Sequence, residues 1–153
     1  MALKQQFSYT GRNALRLYDT SEGSATLLSG FDALGTITST VTGANQSLVV
    51  AGVDDGVASK QILFPFVGAK LIASADFSAI TNRFNIGIRF LTGAGVEISR
   101  VQNDYVAGGR RSVEATVPAT TVYVQWITTA NEANAEWTFT RPALRTNSAS
   151  YSD

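Results

Sequence analysis

Strict alternation of apolar and polar residues near the middle of the chain constrains its fold most. Phe84, Ile86, Ile88 and Phe90 alternate with polar residues and glycine within residues 83–101. Successive side chains of a strand point to opposite faces of a sheet, so this pattern predicts a strand with one buried and one solvated face. A Gly-Ala-Gly segment and a second alternating run follow. Together the two runs predict a β-hairpin.

Other short segments carry strand patterns, and turn residues separate them. Many short strands at regular spacing, without a helical period, are typical of a sandwich or a barrel. We therefore predict one all-β domain over residues 13–145, preceded by an arm (1–12) and followed by a polar tail (146–153). The further predicted strands are 13–19, 25–29, 35–42, 47–53, 59–67, 70–79, 110–118, 121–130 and 136–144.

Composition excludes several classes of chemistry. The chain contains no Cys and no His, which excludes disulfides, thiolate nucleophiles, Cys/His zinc sites and a Ser-His-Asp triad. We predict no enzyme activity, no catalytic residue, no metal and no cofactor. The formal net charge is zero, so no long-range field would draw the protein to nucleic acid or to an anionic membrane.

The predicted strand at residues 121–130 contains one residue expected in the core and two that could contribute to a binding site. Trp126 lies on the face that is apolar along this strand, and we predict that it is buried, as are Trp137 and Phe139 in the closing strand. Tyr123 and Gln125 point to the opposite face. With Asn85 and Arg89 they form a candidate sugar platform, which offers an aromatic ring together with amide and guanidinium groups. The alternative is that these four are ordinary exposed sheet residues or part of a subunit contact.

Three groups of charged residues could form a functional site or could simply be turn and surface residues. Residues 54–56 (Asp-Asp-Gly) lack the spacing of a calcium loop and favour a turn. Glu97 and Asp104 are weak candidates for the carboxylate pair of a glycoside hydrolase. Residues 108–111 (Gly-Gly-Arg-Arg) are the one basic doublet, and they could clasp a carboxylate on a neighbour or simply be solvated.

The order of segments over residues 65–145 resembles the β-sandwich jelly roll of carbohydrate-binding modules. The matching features are the hairpin at 83–101, the Val-Pro at 117–118 before the next strand, and the Arg-Pro-Ala-Leu at 141–144. The resemblance implies a two-sheet antiparallel sandwich of jelly-roll topology. The same fold type occurs in secreted sugar-binding modules and in virion proteins of tailed bacteriophages.

The chain resembles the phage members of this family more than the secreted ones. The closing pattern of the phage members is similar to residues 141–144 followed by 148–151 (Ser-Ala-Ser-Tyr), and the chain begins without a signal-peptide pattern. This implies a capsid decoration (cement) protein that is made in the host cytoplasm and located in the virion. It would form a homodimer or homotrimer and bind the major capsid protein or other virion proteins. The alternative is a carbohydrate-binding module or a tail-fibre attachment appendage whose partner is a glycan.

Overall fold

A computed structural model describes residues 30–146 in full and the backbone of two earlier strands, Gln5–Phe7 and Leu15–Leu17. Most of the predicted arm (1–12), the predicted strand at 25–29 and nearly all of the predicted tail (146–153) lie outside the described residues. Leu15–Leu17 falls inside the predicted strand 13–19.

The described residues form strands joined by turns and loops, with no helix among them. Numbered along the chain, the strands are β1 Gln5–Phe7, β2 Leu15–Leu17, β3 Phe31–Leu34, β4 Ile37–Thr42, β5 Asn45–Val50, β6 Gly56–Ser59, β7 Ile62–Leu63, β8 Lys70–Thr81, β9 Phe84–Leu91, β10 Glu97–Tyr105, β11 Gly109–Thr116, β12 Tyr123–Ala130 and β13 Ala135–Thr146.

Two antiparallel sheets pack face to face. The six-stranded sheet has the order β10-β9-β12-β6-β3, with β7 also paired to β12. The five-stranded sheet has the order β11-β8-β13-β5-β4. Strand β1 pairs with β2, which lies beside β13. This confirms the predicted all-β, single-domain, two-sheet antiparallel sandwich. We call the face of each sheet that looks toward the other sheet its inner face, and the opposite one its outer face.

The aromatic core lies between the inner faces, as the sequence predicted. Trp126, Trp137 and Phe139 are almost completely buried, and the rings of Trp126 and Phe139 lie 5.0 Å apart. Both buried indole N–H groups have partners, because Trp126 Nε1 donates to the Ser74 carbonyl and Trp137 Nε1 donates to Thr128 Oγ1. A buried polar group without a partner would cost free energy, so these bonds allow tryptophan to fill the core.

The predicted strand at 59–67 is in fact broken. Ala58 lies opposite Ile127, but Ile62 lies opposite Val124, so one extra residue enters between β6 and β7. At this bulge Ser59 Oγ takes the place of a backbone carbonyl and accepts a hydrogen bond from the backbone N–H of Trp126 at 3.0 Å. Strand β7 ends two residues before Pro65, which has no N–H to donate to a sheet.

Candidate functional site

The four residues of the predicted platform all lie on the outer face of the six-stranded sheet. Arg89 on β9 is directly opposite Gln125 on β12, and Asn85 is directly opposite Thr129 of the same strand. Tyr123 lies at the start of β12, next to Leu63 of β7. The two central strands therefore bring the four into one column, with Arg89 and Gln125 in contact and Asn85 further along.

Arg89 is the centre of a hydrogen-bonded network on this face. Its Nη1 donates to Gln125 Oε1 at 3.2 Å, and its Nε donates to Glu97 Oε1 at 2.6 Å. The same Glu97 oxygen accepts from Arg100 Nη2 at 2.6 Å. The hydrogen bond from Arg100 lowers the pKa of Glu97 most, and together with Arg89 it outweighs the effect of partial burial. Two guanidinium groups thus share one carboxylate, which leaves one surplus positive charge.

Gln125 and Asn85 serve mainly to position their neighbours. Gln125 is 8% exposed, and both ends of its amide are used, since Nε2 donates to the Ser59 carbonyl at 2.7 Å and Oε1 accepts from Arg89. Asn85 is 3% exposed, and its Nδ2 lies 3.5 Å from Thr129 Oγ1. The groups of the predicted platform that are more open to solvent are therefore Arg89 and Tyr123.

Gln102 is a member of this face that sequence reasoning missed. It lies opposite Gly87, and its Nε2 donates to Thr129 Oγ1 at 2.9 Å. A Cβ at Gly87 would come within 2.8 Å of Gln102 Cγ and 3.0 Å of Ile127 Cγ1. Because glycine has no Cβ, the Gln102 side chain has room to lie over β9. The sequence alternation of β10 would put Gln102 on the same face as Ile98, and the register shift near the start of the strand is what separates the two.

The two carboxylates considered for hydrolysis are far apart and separately paired. Glu97 and Asp104 lie seven positions apart on β10, a span of about 20 Å at strand geometry. A glycoside hydrolase needs its carboxyl groups within about 10 Å of each other. Glu97 pairs with Arg89 and Arg100, whereas Asp104 pairs with Arg83. These two residues do not form a hydrolytic pair.

The basic doublet is divided between the two sides of β11: Arg110 lies on the outer face of the other sheet and clasps Asp76 of its own chain, whereas Arg111 points to the opposite side. Arg110 Nη1 contacts Asp76 Oδ1 at 3.3 Å, and Arg141 Nε donates to Asp76 Oδ2 at 2.6 Å. Burial raises the pKa of Asp76, but the hydrogen bonds and charges of Arg141 and Arg110 outweigh it and hold the pKa below its ordinary value. Arg111 stacks over the Tyr105 ring at 4.9 Å.

The described part of the chain offers no metal-binding cluster of three or more acidic, His or Cys residues. Residues 54–56 lead into β6, with Asp54 in the left-handed region at φ 68° and Gly56 as the first residue of the strand. The described residues contain no helix that is long and apolar enough to cross a membrane.

No family model and no curated protein matches this sequence. Solved structures with a similar fold do exist. The C-terminal family 22 carbohydrate-binding module of Clostridium thermocellum Xyn10B has a TM-score of 0.61 and 14% identity, over 97% of this chain and 100% of that one. The CBM22-1 xylan-binding domain of Paenibacillus barcinonensis Xyn10C has a TM-score of 0.56 and 12% identity, over 95% and 96% of the two chains.

A phage protein shares the fold as well. The enzymatically active domain of bacteriophage CBA120 tailspike protein 4 has a TM-score of 0.54 and 12% identity. The match covers 81% of this chain but spans only 20% of the tailspike chain. At these identities the similarity shows the fold alone, which is the β-sandwich that carbohydrate-binding modules also have.

Proposed function

We propose that the protein is a non-catalytic carbohydrate-binding module that binds glycan on the outer face of its six-stranded sheet. The observation that carries the proposal is the network around Arg89, which holds a partly exposed guanidinium group in place on the same sheet face as the partly exposed Tyr123. Two solved structures of similar fold are named as carbohydrate-binding or xylan-binding modules, which supports this class over an enzyme.

The geometry suits recognition of sugar hydroxyls. A planar guanidinium donates several hydrogen bonds in fixed directions, and an aromatic ring can stack on the apolar face of a sugar. Glu97 and Gln125 already hold Arg89 from two sides, so little side-chain entropy is lost when a ligand binds. Arg100 and Gln102 extend the polar row along β10 on the same face.

The matched pair Arg89→Ala and Arg110→Ala tests the proposal. Both arginines pair with a carboxylate on an outer sheet face, but Arg110 lies on the opposite sheet. After screening the unmodified protein on a glycan array, we expect Arg89→Ala to weaken binding of the selected glycan about tenfold or more in calorimetry, because a charge-assisted hydrogen bond is lost. Arg110→Ala should bind like the unmodified protein.

Tyr123 provides the second arm of this test. Tyr123→Phe keeps the ring and should retain most of the affinity, whereas Tyr123→Ala should lose about twofold to tenfold, in line with an aromatic contact. The proposal is wrong if the array detects no glycan, or if Arg89→Ala and Arg110→Ala bind equally well while both remain folded by circular dichroism.

A second candidate function is a virion component, either a capsid decoration protein or a tail appendage. The similarity in fold to a tailspike domain supports it. In this role the protein would be made in the host cytoplasm and would bind the major capsid protein or a tail protein in the particle. We expect mass spectrometry of purified particles to find the protein at a fixed ratio to the capsid protein. Its absence from particles whose genome encodes it would contradict this candidate.

A further inference from the structure

Strand β4, Ile37–Thr42, forms one edge of the five-stranded sheet. Within the described residues, β5 is its one strand neighbour, and it pairs without interruption from Ile37 opposite Val50 to Thr42 opposite Asn45. The backbone groups on the free side of such a strand are therefore available to another strand. Proteins usually protect these edges with charges, prolines, bulges or short strands.

The other three terminal strands in the order of the two large sheets have this protection, but β4 does not. Strand β3 is four residues long and contains Asp32. Strand β10 has a bulge near its start, and both β10 and β11 contain several charged side chains. Strand β4 has the sequence Ile-Thr-Ser-Thr-Val-Thr, with no charge, no proline and no bulge. Its residues are mostly β-branched, which favours strand pairing.

The sequence around β4 is nearly symmetric about Ser39. Residues 36–42 read Thr-Ile-Thr-Ser-Thr-Val-Thr, which is the same in both directions apart from the exchange of Ile for Val. If two copies paired antiparallel about Ser39, each residue would face a similar one. Thr38 would lie opposite Thr40 of the other copy, and Ile37 would lie opposite Val41. An interface related by a two-fold axis must be self-complementary in this way.

The two faces of β4 fit the same arrangement. Ile37 and Val41 are half-buried and pack against the core, whereas Thr38 and Thr40 are exposed on the outer face. A two-fold axis perpendicular to the sheet keeps inner faces with inner faces. The apolar pairs would therefore continue the core layer, and the threonine pairs would form on the outer surface, where such cross-strand pairs are favourable.

We propose that two copies of this chain pair along β4, antiparallel and centred on Ser39, so that their five-stranded sheets join into one continuous sheet. The partner is a second copy because the strand is complementary to its own sequence. The interface lies on the five-stranded sheet, whereas the proposed glycan-binding face belongs to the other sheet.

A charge-exchange experiment tests both the partner and the register. The variant Thr38→Lys/Thr40→Lys places like charges directly opposite each other at two positions, whereas Thr38→Lys/Thr40→Glu places opposite charges there. Both variants change the same two exposed residues, so each serves as the folding control of the other. Light scattering at several concentrations should show a dimer for the unmodified protein and for the Lys/Glu variant. The Lys/Lys variant should dissociate about tenfold or more readily.

Three results would overturn the proposal. The unmodified protein could remain a monomer up to high concentration, or the Lys/Lys variant could remain as dimeric as the unmodified protein. The Lys/Glu variant could also be as monomeric as the Lys/Lys variant, which would rule out the register about Ser39. Circular dichroism and thermal unfolding would show whether each variant is folded, so that the light-scattering comparison is made between folded proteins.

Discussion

Gly56→Ala is expected to lower the free energy of unfolding by about 3 kcal/mol or more, a large fraction of the total stability of a typical domain. Gly56 begins β6 and lies opposite Thr129 on β12. A Cβ at this position would lie 2.0 Å from the Thr128 carbonyl oxygen and 2.8 Å from Thr129 Cα. Both are backbone atoms, so no change of rotamer can relieve the overlap.

The position of β12 makes this overlap costly. Strand β12 is paired to β9 on one side and to β6 and β7 on the other, so its backbone can shift only if the centre of the sheet moves with it. Either the ladder between β6 and β12 opens, or β6 detaches with β3, which is paired to it. The inner-face side chains of both strands would then lose their packing.

Urea unfolding followed by tryptophan fluorescence measures this effect, because Trp126 and Trp137 are buried and report on the core. Gly93→Ala is the matched control, since the nearest atom to its added Cβ would be Val122 Cγ2 at an ordinary 3.6 Å. Its unfolding midpoint should change little. If the unfolding midpoint of Gly56→Ala equals that of the unmodified protein, β6 does not lie against β12 in this register.

Thr128→Val is expected to cost about 2 kcal/mol of stability, although valine has nearly the same shape as threonine. Thr128 is completely buried. Its Oγ1 accepts from Trp137 Nε1 at 3.0 Å and donates to the Asn85 carbonyl at 2.7 Å. Valine can do neither, and the indole N–H would be left buried without a partner. Such a group costs roughly 1–3 kcal/mol.

A double-mutant cycle isolates the indole bond. Trp137→Phe removes the N–H donor, so Thr128→Val should cost less in that background, by roughly 0.5–3 kcal/mol. Thr116→Val, at an exposed position of β11, is the control for replacing a strand threonine. If Thr128→Val costs the same in both backgrounds, the bond to Trp137 contributes nothing to stability. All four proteins of the cycle are compared by urea unfolding.

The sequence predicted best where one face of a strand is buried and the other is not. The alternation of Phe84, Ile86 and Ile88 predicted an inner face, and all three are completely buried. The four residues of β6 are all buried, so no alternation marks that strand. Its start was also interpreted as the end of a turn, because Asp54 and Asp55 precede Gly56.

The candidate site shows the same division. Alternation placed Tyr123 and Gln125 on one face of β12, and the structure agrees. Alternation could not reveal that Gln125 is held by Ser59 and Arg89, because those residues are far from Gln125 in the sequence. A residue in a polar pattern can thus be buried in the tertiary structure, as Gln125 is.

The sequence alone determined most of the strands, the inner faces of the alternating ones and the aromatic core, because alternation is a local property that one-sided burial imposes on a strand. Only the tertiary structure decided which strands are neighbours and in what register. Those pairings depend on contacts between distant segments, and a shift of one residue would turn every side chain of a strand to the other face. The network around Arg89 and the free edge of β4 both arise from that register.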